Sequence, residues 1–348
     1  MATINGTDGN DTLNGTSGED RIDGKAGDDT VRGGGSRDFV AGGIGNDLMF
    51  GGSGNDYLWD ESGDDQLSGG SGNDRLVGAS GQNILNGDSG NDTLVFNPGR
   101  VTLWDELANS SPPPGYIDPS GRSVFDGGAG YDTLQVVNEA TVMLGDTDGT
   151  DFEAPMGLVG QLFHYTFDHG DADFGSPNIV FHHGSDGEDF RIFGRIESIE
   201  RFEFSGHAGV EFKAGTSAVT LVGTDHDDFF LGSTGNDTIF GGLGDDHLEG
   251  GRGNDAIRSG LTDSDTIQFD VTGQSSWGFF TGRFGSDTVT GFNGEGEIGG
   301  DTLVFVGTSR DSTTITTSGD RTTFSSVNGT VVVDAVNMVA DVDYFFVV

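Results

Sequence analysis

The sequence predicts an all-β protein that is built by stacking many short and nearly identical units. Three observations support this prediction: a nine-residue period, a glycine content of 63 in 348 residues, and one large apolar residue per period. An amphipathic helix needs three or four apolar residues every two turns, so this pattern favours short strands instead. Because no single unit can bury its apolar residue alone, neighbouring units must stack on one another.

The first repeat block contains ten units in register, from Asn5 to Leu94. The second and fifth positions of the unit are glycine in all but one unit each, where Asp60 and Ser36 stand. The seventh position is aspartate with the exception of Asn83, and the ninth is always aliphatic or methionine. Glycine at fixed spacing supplies turns with positive φ, which other residues resist. The block therefore predicts tight turns that alternate with short strands.

Units of the same pattern return later in the chain. One unit spans 126–134, a second block spans 222–257, and a loosened unit continues through Asp265. The Pro-containing segment 97–124 predicts an exposed loop. Short alternating runs in 135–221 predict a β-rich insert.

The charge pattern predicts bound calcium. Stacking places the seventh-position aspartates about 4.8 Å apart, where like charges repel. Calcium accepts six to eight carboxylate and carbonyl oxygens in flexible geometry, whereas magnesium is more demanding. With 57 acidic and 16 basic residues the net charge is −41. This charge makes cations the natural ligands and excludes nucleic acid and anionic membrane surfaces as partners.

The units resemble the RTX (repeats-in-toxin, hemolysin-type) nonapeptide G-G-x-G-x-D-x-U-x. The resemblance implies a parallel β-roll or β-helix with two units per turn and several Ca²⁺ ions between successive turns. It also implies two RTX blocks that are separated by the β-rich insert. The implied metal ligands are the seventh-position aspartates: Asp11, Asp20, Asp29, Asp38, Asp47, Asp56, Asp65, Asp74, Asp92, Asp132, Asp228, Asp237, Asp246, Asp255 and Asp265. Departures at Ser36-Arg37, Asp60-Glu61 and Asn83 predict weakened sites at those turns.

The C-terminal part also carries resemblances. Residues 284–305 resemble the segment that closes the rolls of serralysin-like proteins, with Asp287 and Asp301 as further candidate ligands. Residues 341–348 resemble the uncleaved C-terminal signal of type I secretion substrates. The N-terminus lacks the basic and apolar regions of a secretory signal peptide.

These features predict five segments along the chain. They are a first RTX roll (1–96), the Pro-containing loop (97–124), a single unit plus β-rich insert (125–221), a second RTX roll (222–270), and a C-terminal β cap with the secretion signal (271–348). No apolar run is long enough for a helix that spans a membrane.

No catalytic motif stands out. H-E-x-x-H, G-x-S-x-G and the phosphate-binding loop are all missing from the sequence. Adjacent His182 and His183 face opposite ways on a strand, so they do not predict zinc binding. Carboxylates around the insert could supply an acid and a base for glycoside chemistry. These are Asp168, Asp171, Asp173, Glu197, Glu200 and Glu203.

The sequence therefore predicts a secreted calcium-binding protein of a Gram-negative bacterium that folds on calcium binding outside the cell. The expected role is structural, adhesive, or part of a matrix or surface layer. The expected partners are a type I secretion exporter and either a cell-surface polysaccharide or further copies of the chain. An extracellular polysaccharide-active enzyme, with its site in or near 135–221, stays open as the alternative.

Overall fold

The computed structural model describes residues 1–79, 81, 83–96, 122–138, 143–145, 151–153, 163–168, 178–183, 193–197, 199–206, 210–214, 217–260, 263–270, 283–293, 300–335, 337–340 and 342–347. The chain divides into two compact modules. Module 1 comprises Met1–Phe163 and Ser176–His207, and module 2 comprises His164–Gly175 and Ala208–Val348.

Thirty-two strands and one short 3₁₀ helix, Arg310–Ser312, make up the regular structure of the described residues. The strands up to residue 206 are β1 (Ala2–Asn5), β2 (Thr12–Asn14), β3 (Asp20–Ala26), β4 (Thr30–Gly35), β5 (Phe39–Ile44), β6 (Leu48–Ser53), β7 (Tyr57–Trp59), β8 (Gln66–Ser71), β9 (Arg75–Gly78), β10 (Ile84–Ser89), β11 (Thr93–Phe96), β12 (Arg122–Asp126), β13 (Thr133–Asn138), β14 (Met143–Gly145), β15 (Asp151–Glu153), β16 (Phe163–Asp168), β17 (Asn178–His183), β18 (Phe193–Glu197) and β19 (Arg201–Gly206). The later strands are β20 (Val210–Lys213), β21 (Thr220–Val222), β22 (Phe229–Leu231), β23 (Thr238–Phe240), β24 (His247–Glu249), β25 (Ala256–Arg258), β26 (Thr266–Asp270), β27 (Gly285–Thr290), β28 (Thr302–Val306), β29 (Thr314–Ser318), β30 (Arg321–Ser326), β31 (Gly329–Val333) and β32 (Tyr344–Val347).

Most strands of module 1 divide between two sheets in which neighbouring strands are parallel, except that β17 is antiparallel to β18. Strands β14 and β15 form a separate antiparallel pair. One sheet runs in the order β1-β3-β5-β7-β9-β11-β13-β19, and the other runs β2-β4-β6-β8-β10-β12-β18-β17. Ala2 pairs with Asp20, and Arg21 pairs with Phe39, so the register advances by 18 residues at each step. Two nine-residue units therefore complete one turn of the roll, and consecutive units lie in opposite sheets.

The core of module 1 lies between the two sheets and is formed by the ninth position of each unit. These side chains are at most 2% exposed: Ile22, Val31, Val40, Met49, Leu58, Leu67, Leu76, Leu85 and Leu94. Each of them stacks on the residue 18 positions away, as Val40 does on Leu58. Burying one apolar side chain per unit contributes about 1.5–3 kcal/mol, which is realised only when neighbouring turns are in place.

Module 2 has the same two-sheet plan. One sheet runs β21-β23-β25-β27-β31-β30-β29, and the other runs β16-β20-β22-β24-β26-β28-β32. Near the C-terminus the aliphatic core becomes aromatic, because Phe305 stacks on Phe269, Phe324 and Phe346 with ring centroids 5.1–5.3 Å apart. The final strand β32 pairs in parallel with β28. The residues predicted to carry a secretion signal thus include a strand of the folded sheet.

The predicted all-β parallel roll of repeats is confirmed. Strand β12 begins at Arg122, so it takes up the last three residues of the predicted loop 97–124. The rest of that loop, including the three consecutive prolines, lies outside the described residues. No helix of the described residues is long and apolar enough to cross a membrane. The five segment boundaries drawn from the sequence stay predictions.

Candidate metal centre

The seventh-position aspartates lie at the junction between a turn and the following strand. All but one of the predicted ligands are at most 3% exposed, and Asp11 is half-buried. Carboxylates are almost never fully buried unless they are paired with a cation or with hydrogen-bond donors. The roll therefore has to provide partners for a column of buried acids in each sheet.

One oxygen of each carboxylate is satisfied by the backbone. The N–H of an aspartate donates to Oδ1 of the aspartate two units later, as Asp29 does to Asp47 at 2.7 Å. The same bond recurs at 2.7–2.9 Å through both blocks. This ladder ties each turn to the next turn in its sheet and fixes the orientation of every carboxylate.

The second oxygen, Oδ2, is left without a hydrogen-bond partner in most of these residues. The orphaned oxygens belong to Asp29, Asp38, Asp47, Asp56, Asp60, Asp65, Asp74, Asp92, Asp132, Asp246, Asp255 and Asp287. A buried polar atom without a partner is unfavourable by about 1–3 kcal/mol, and more if it is charged. Apart from Asp60, the orphans of the repeat units recur at the same position, so they form a regular set of oxygen donors that suits a cation.

The space beside most of the orphaned oxygens is bounded by glycine. A Cβ placed on Gly51 would lie 2.6 Å from Asp56 Oδ2 and 2.5 Å from the carbonyl oxygen of Gly69. Glycine at the second position therefore keeps open a cradle where a carboxylate and a carbonyl of the next turn converge. Such all-oxygen donors in flexible geometry suit calcium, so the residues present fit the cation that the repeats imply.

Four turns lack this orphaned oxygen because a hydroxyl residue fills the third position of the unit. Thr16 donates to Asp20 Oδ2 through its backbone N–H at 2.6 Å and through its hydroxyl at 2.8 Å. Thr7, Thr224 and Ser233 make the corresponding bonds to the aspartates four residues later. We call these four capped turns.

Nine other turns have a third residue with positive φ, and we call them open turns. The third residues are Lys25, Gly34, Gly43, Gly52, Gly70, Asp88, Gly128, Gly242 and Gly251, with φ between 70° and 125°. In all nine, the aspartate four residues later has an orphaned Oδ2. Seven of the nine third residues are glycine. β-Branched threonine resists positive φ, so threonine at the third position favours the capped class.

Burial, more than the class of turn, sets the pKa of these aspartates. In the open turns, burial raises the pKa of Asp56 to about 6 and that of Asp246 and Asp255 to about 8. Burial also raises the pKa of Asp237 in a capped turn, although Ser233 and Val219 donate to it.

At the start of the chain the hydrogen bonds outweigh burial and lower the pKa. The main donors are the N–H of Thr7 for Asp11 and the N–H of Ala2 for Asp20. The buried carboxylates of both classes are therefore unfavourable when they are charged and without a cation.

Asp60 replaces the second-position glycine and adds a carboxylate to one open turn. It is fully buried, and one oxygen each from Asp47, Asp60 and Asp65 lie within 4.8 Å of one another. The N–H of Gly43 donates to Asp60 Oδ1 at 3.2 Å, while Oδ2 is orphaned. Burial strongly raises the pKa of Asp60. Asp60 thus places a carboxylate oxygen beside those of Asp47 and Asp65, and the three could together hold a cation. The weakened site that the departure from the repeat predicts stays a prediction.

Asn83 and the C-terminal candidates keep the ladder intact. The N–H of Asp65 donates to Asn83 Oδ1 at 3.0 Å, so the amide substitutes for a carboxylate as acceptor but brings no charge. Asp287 and Asp301 accept from Asp255 and Asp265 at 2.9 and 3.1 Å.

A second group of carboxylates that could hold a cation lies in module 2. Oxygens of Asp263, Asp265 and Asp301 lie within 4.8 Å of one another. Asp263 was not singled out from the sequence, because the turn that contains it is one residue longer than the repeat.

The carboxylates considered for glycoside chemistry have structural partners where they are described. Glu200 accepts the N–H of Asp132 at 2.9 Å and so extends the ladder. Burial raises the pKa of Glu203, but bonds from Gln135 and Arg201 at 2.6 and 2.7 Å outweigh it and lower the pKa overall. The side chains of Asp168 and Glu197, and residues Asp171 and Asp173, lie outside the described residues, as do the side chains of His182 and His183.

Comparisons with known proteins agree with the repeat pattern. The family model for the RTX calcium-binding nonapeptide repeat matches four times, at residues 3–31, 23–58, 59–94 and 222–257. No curated protein matches the chain. Among solved structures, the extracellular lipase LipA from Serratia marcescens is similar over 83% of this chain at 19% identity, with a TM-score of 0.24. The similarity spans 42% of the lipase, so this chain covers less than half of its length. The chain thus carries RTX calcium-binding nonapeptide repeats, and Ca²⁺ is the cation that these repeats bind.

Proposed function

We propose that the chain is exported by a type I secretion system, folds on binding calcium outside the cell, and serves there in adhesion or in a matrix or surface layer. The observation that supports this most directly is the column of buried Oδ2 atoms without partners in the open turns. The fold is therefore incomplete without cations, which makes calcium a condition of folding.

The ladder explains why folding should be steep in calcium. Each saturated site adds RT ln(1 + [L]/Kd), about 2.7 kcal/mol at a hundredfold excess of metal over Kd. Because each aspartate N–H bonds the carboxylate two units later, filling one site orders a ligand of the next. In a cell, where free calcium is scarce, repulsion among the aspartates and the entropy of 63 glycines keep the chain expanded.

The C-terminal strand supports export before folding. Tyr344 is buried, and β32 is paired along its length with β28 in the folded sheet. A signal that includes these residues is accessible to an exporter only while module 2 is unfolded. Calcium outside the cell then buries the signal and draws the equilibrium toward the folded state.

A calcium titration that starts from chelator tests the proposal, with far-UV circular dichroism and light scattering followed together. We expect β signal to rise cooperatively with calcium and not with equal magnesium. Scattering that rises with the β signal supports assembly into a layer or matrix, whereas β signal without scattering supports adhesion by a monomer. A chain that is equally folded in chelator contradicts the proposal.

A further inference from the structure

A groove of about 320 Å³ crosses the outer face of module 1, over strands β3, β5 and β7. The parallel register aligns Arg21, Phe39, Tyr57 and Arg75 in one row across four strands. All four stand at the eighth position of their units, next to the buried core residue, so they face outward. The repeat thus creates a row of two aromatic rings that is flanked by two guanidinium groups.

Three aromatic side chains line this groove. The ring centroids of Phe39 and Tyr57 are 6.1 Å apart, and Trp59 lies two residues beyond Tyr57 on the same face of β7. The guanidinium of Arg37 lies over the Phe39 ring, 4.9 Å from its centroid. Trp59 is 37% exposed. Ala41 aligns with Trp59 in the neighbouring strand, and this small side chain leaves the indole uncovered on that side. An exposed tryptophan beside two further rings is unfavourable in water and typical of a binding surface.

The polar groups that line the groove carry charges of both signs. Arg21 and Lys25 supply two positive charges, and Asp23 and Glu61 supply two negative charges. Arg37, over the ring of Phe39, and Arg75, at the end of the row, add positive charge beside these groups. The protein as a whole carries a net charge of −41, which repels polyanions. Charged donors and acceptors beside aromatic faces suit a ligand that is uncharged and rich in hydroxyl groups.

We propose that this groove binds a neutral pyranose oligosaccharide. The apolar C–H face of a sugar ring packs on an aromatic ring, and its hydroxyls accept from Arg21 and donate to Asp23 or Glu61. The row spans several strands, so it matches an extended chain better than a single sugar. The inference rests on the proposed function in one respect, since the groove exists only when the calcium-bound roll is folded.

Isothermal titration calorimetry of the full chain in saturating calcium tests the groove, with cellohexaose and chitohexaose as neutral probes and hexagalacturonate as the charged probe. We expect at least one neutral hexasaccharide to bind. Trp59→Ala should weaken that binding by about tenfold or more, as truncation of a central aromatic anchor does. The matched control is Tyr131→Ala, which removes an exposed aromatic residue outside the groove and should bind as the parent does.

Three results would overturn the inference: no neutral hexasaccharide binds, hexagalacturonate alone binds, or Trp59→Ala binds as tightly as the parent. Sedimentation of the same samples tests one further contrary outcome. If the protein is a dimer that Trp59→Ala dissociates, and no sugar binds, the groove is an interface between two copies of the chain. Circular dichroism with and without calcium accompanies each sample. A folded, calcium-responsive protein that binds no sugar refutes sugar binding by the groove and leaves the proposed function intact. A protein whose folding does not respond to calcium refutes the proposed function.

Discussion

Open and capped turns place the same aspartate at the same position of the repeat and use it in opposite ways. In an open turn such as that of Asp56, one carboxylate oxygen is orphaned beside a glycine-lined cradle. In a capped turn such as that of Asp20, the oxygen accepts from a threonine hydroxyl and N–H. We therefore expect the residue four positions before the aspartate, and not the aspartate alone, to determine whether a turn binds calcium.

The capped turns lie at the start of each block. They are the first two units of each block, with third residues Thr7, Thr16, Thr224 and Ser233. Their second-position glycines also lie beside the carboxylate and a carbonyl of the next turn, as Gly15 lies beside Asp20 Oδ2 and the carbonyl of Gly33. The two classes therefore share the cradle and differ in whether a hydroxyl residue already caps the carboxylate. We accordingly expect calcium at the open turns and none that depends on Asp11, Asp20, Asp228 or Asp237.

The largest effect on stability is expected from placing the threonine of a capped turn in an open turn. Gly52 has φ of 109°, and a Cβ there would press on the carbonyl oxygen of Gly34. Gly52→Thr combines left-handed strain with overpacking, and we expect a loss of about 3 kcal/mol of stability. Thermal unfolding in saturating calcium measures this loss.

Thr16→Gly is the matched control for Gly52→Thr, because it makes the reverse exchange in a capped turn. It removes one hydroxyl and adds backbone freedom without any clash, so we expect a loss of only about 1 kcal/mol. Equal destabilisation by the two variants would show that the turn classes do not differ.

The next largest effect is expected from replacing one aspartate of each class, and it is measured as the number of bound calcium ions. Asp246→Asn removes a charged ligand whose Oδ2 is orphaned, whereas Asp237→Asn changes a carboxylate that accepts from Ser233 and Val219. We expect the first variant to lose one or two ions and about 3 kcal/mol of calcium-dependent stability. The second should keep the parent's number of ions.

Metal analysis of the protein after gel filtration in calcium gives the count for both variants. Loss of calcium from Asp237→Asn, or an unchanged count for Asp246→Asn, would contradict the assignment of open turns as the binding turns.

The sequence predicts the roll and its columns of aspartates well because both follow from strict periodicity. A ninth-position residue such as Met49 must face the core once the period is known. The two classes of turn also differ in sequence, because the third residue is threonine or serine in capped turns and mostly glycine in open turns. The sequence alone does not show what this difference does, because that depends on the φ of the third residue and on the direction in which the carboxylate points. The effect of Asp60 stays a prediction, because this departure from the repeat removes a glycine but also brings a carboxylate beside Asp47 and Asp65. The groove could not be predicted, because it depends on which residues 18 positions apart align across strands.

Acid should partly replace calcium in the open turns. Without metal, burial raises the folded-state pKa of Asp56 to about 6, of Asp92 to about 7 and of Asp246 to about 8, above the ordinary value of 3.8. A raised carboxyl pKa stabilises the folded state fully below 3.8, and this contribution is lost as the pH rises through 6 to 8. In chelator we therefore expect β signal to increase on acidification from pH 8 to pH 4.

Circular dichroism in chelator across this pH range tests the acid effect, with the calcium-saturated protein as the control. We expect the calcium form to change little between pH 8 and pH 6, since its carboxylates are already neutralised by metal. A chelated chain with the same β signal at pH 4 and pH 8 would show that the carboxylates do not oppose folding.

The smallest effect on stability is expected from removing only the hydroxyl group of a capped turn. Thr16→Ala deletes the 2.8 Å bond to Asp20 Oδ2 but keeps the backbone N–H that also caps this oxygen. We expect a loss of about 1 kcal/mol, the net value of one hydrogen bond, with an unchanged number of bound calcium ions. Thr16→Ser retains a hydroxyl and should restore most of the stability, and Thr12→Ala, at an exposed strand position, should have no effect. Thermal unfolding with metal analysis checks all three. A calcium ion lost with the Thr16 hydroxyl would mean that the threonine helps to bind the cation instead of substituting for it, which would remove the difference between the two kinds of turn.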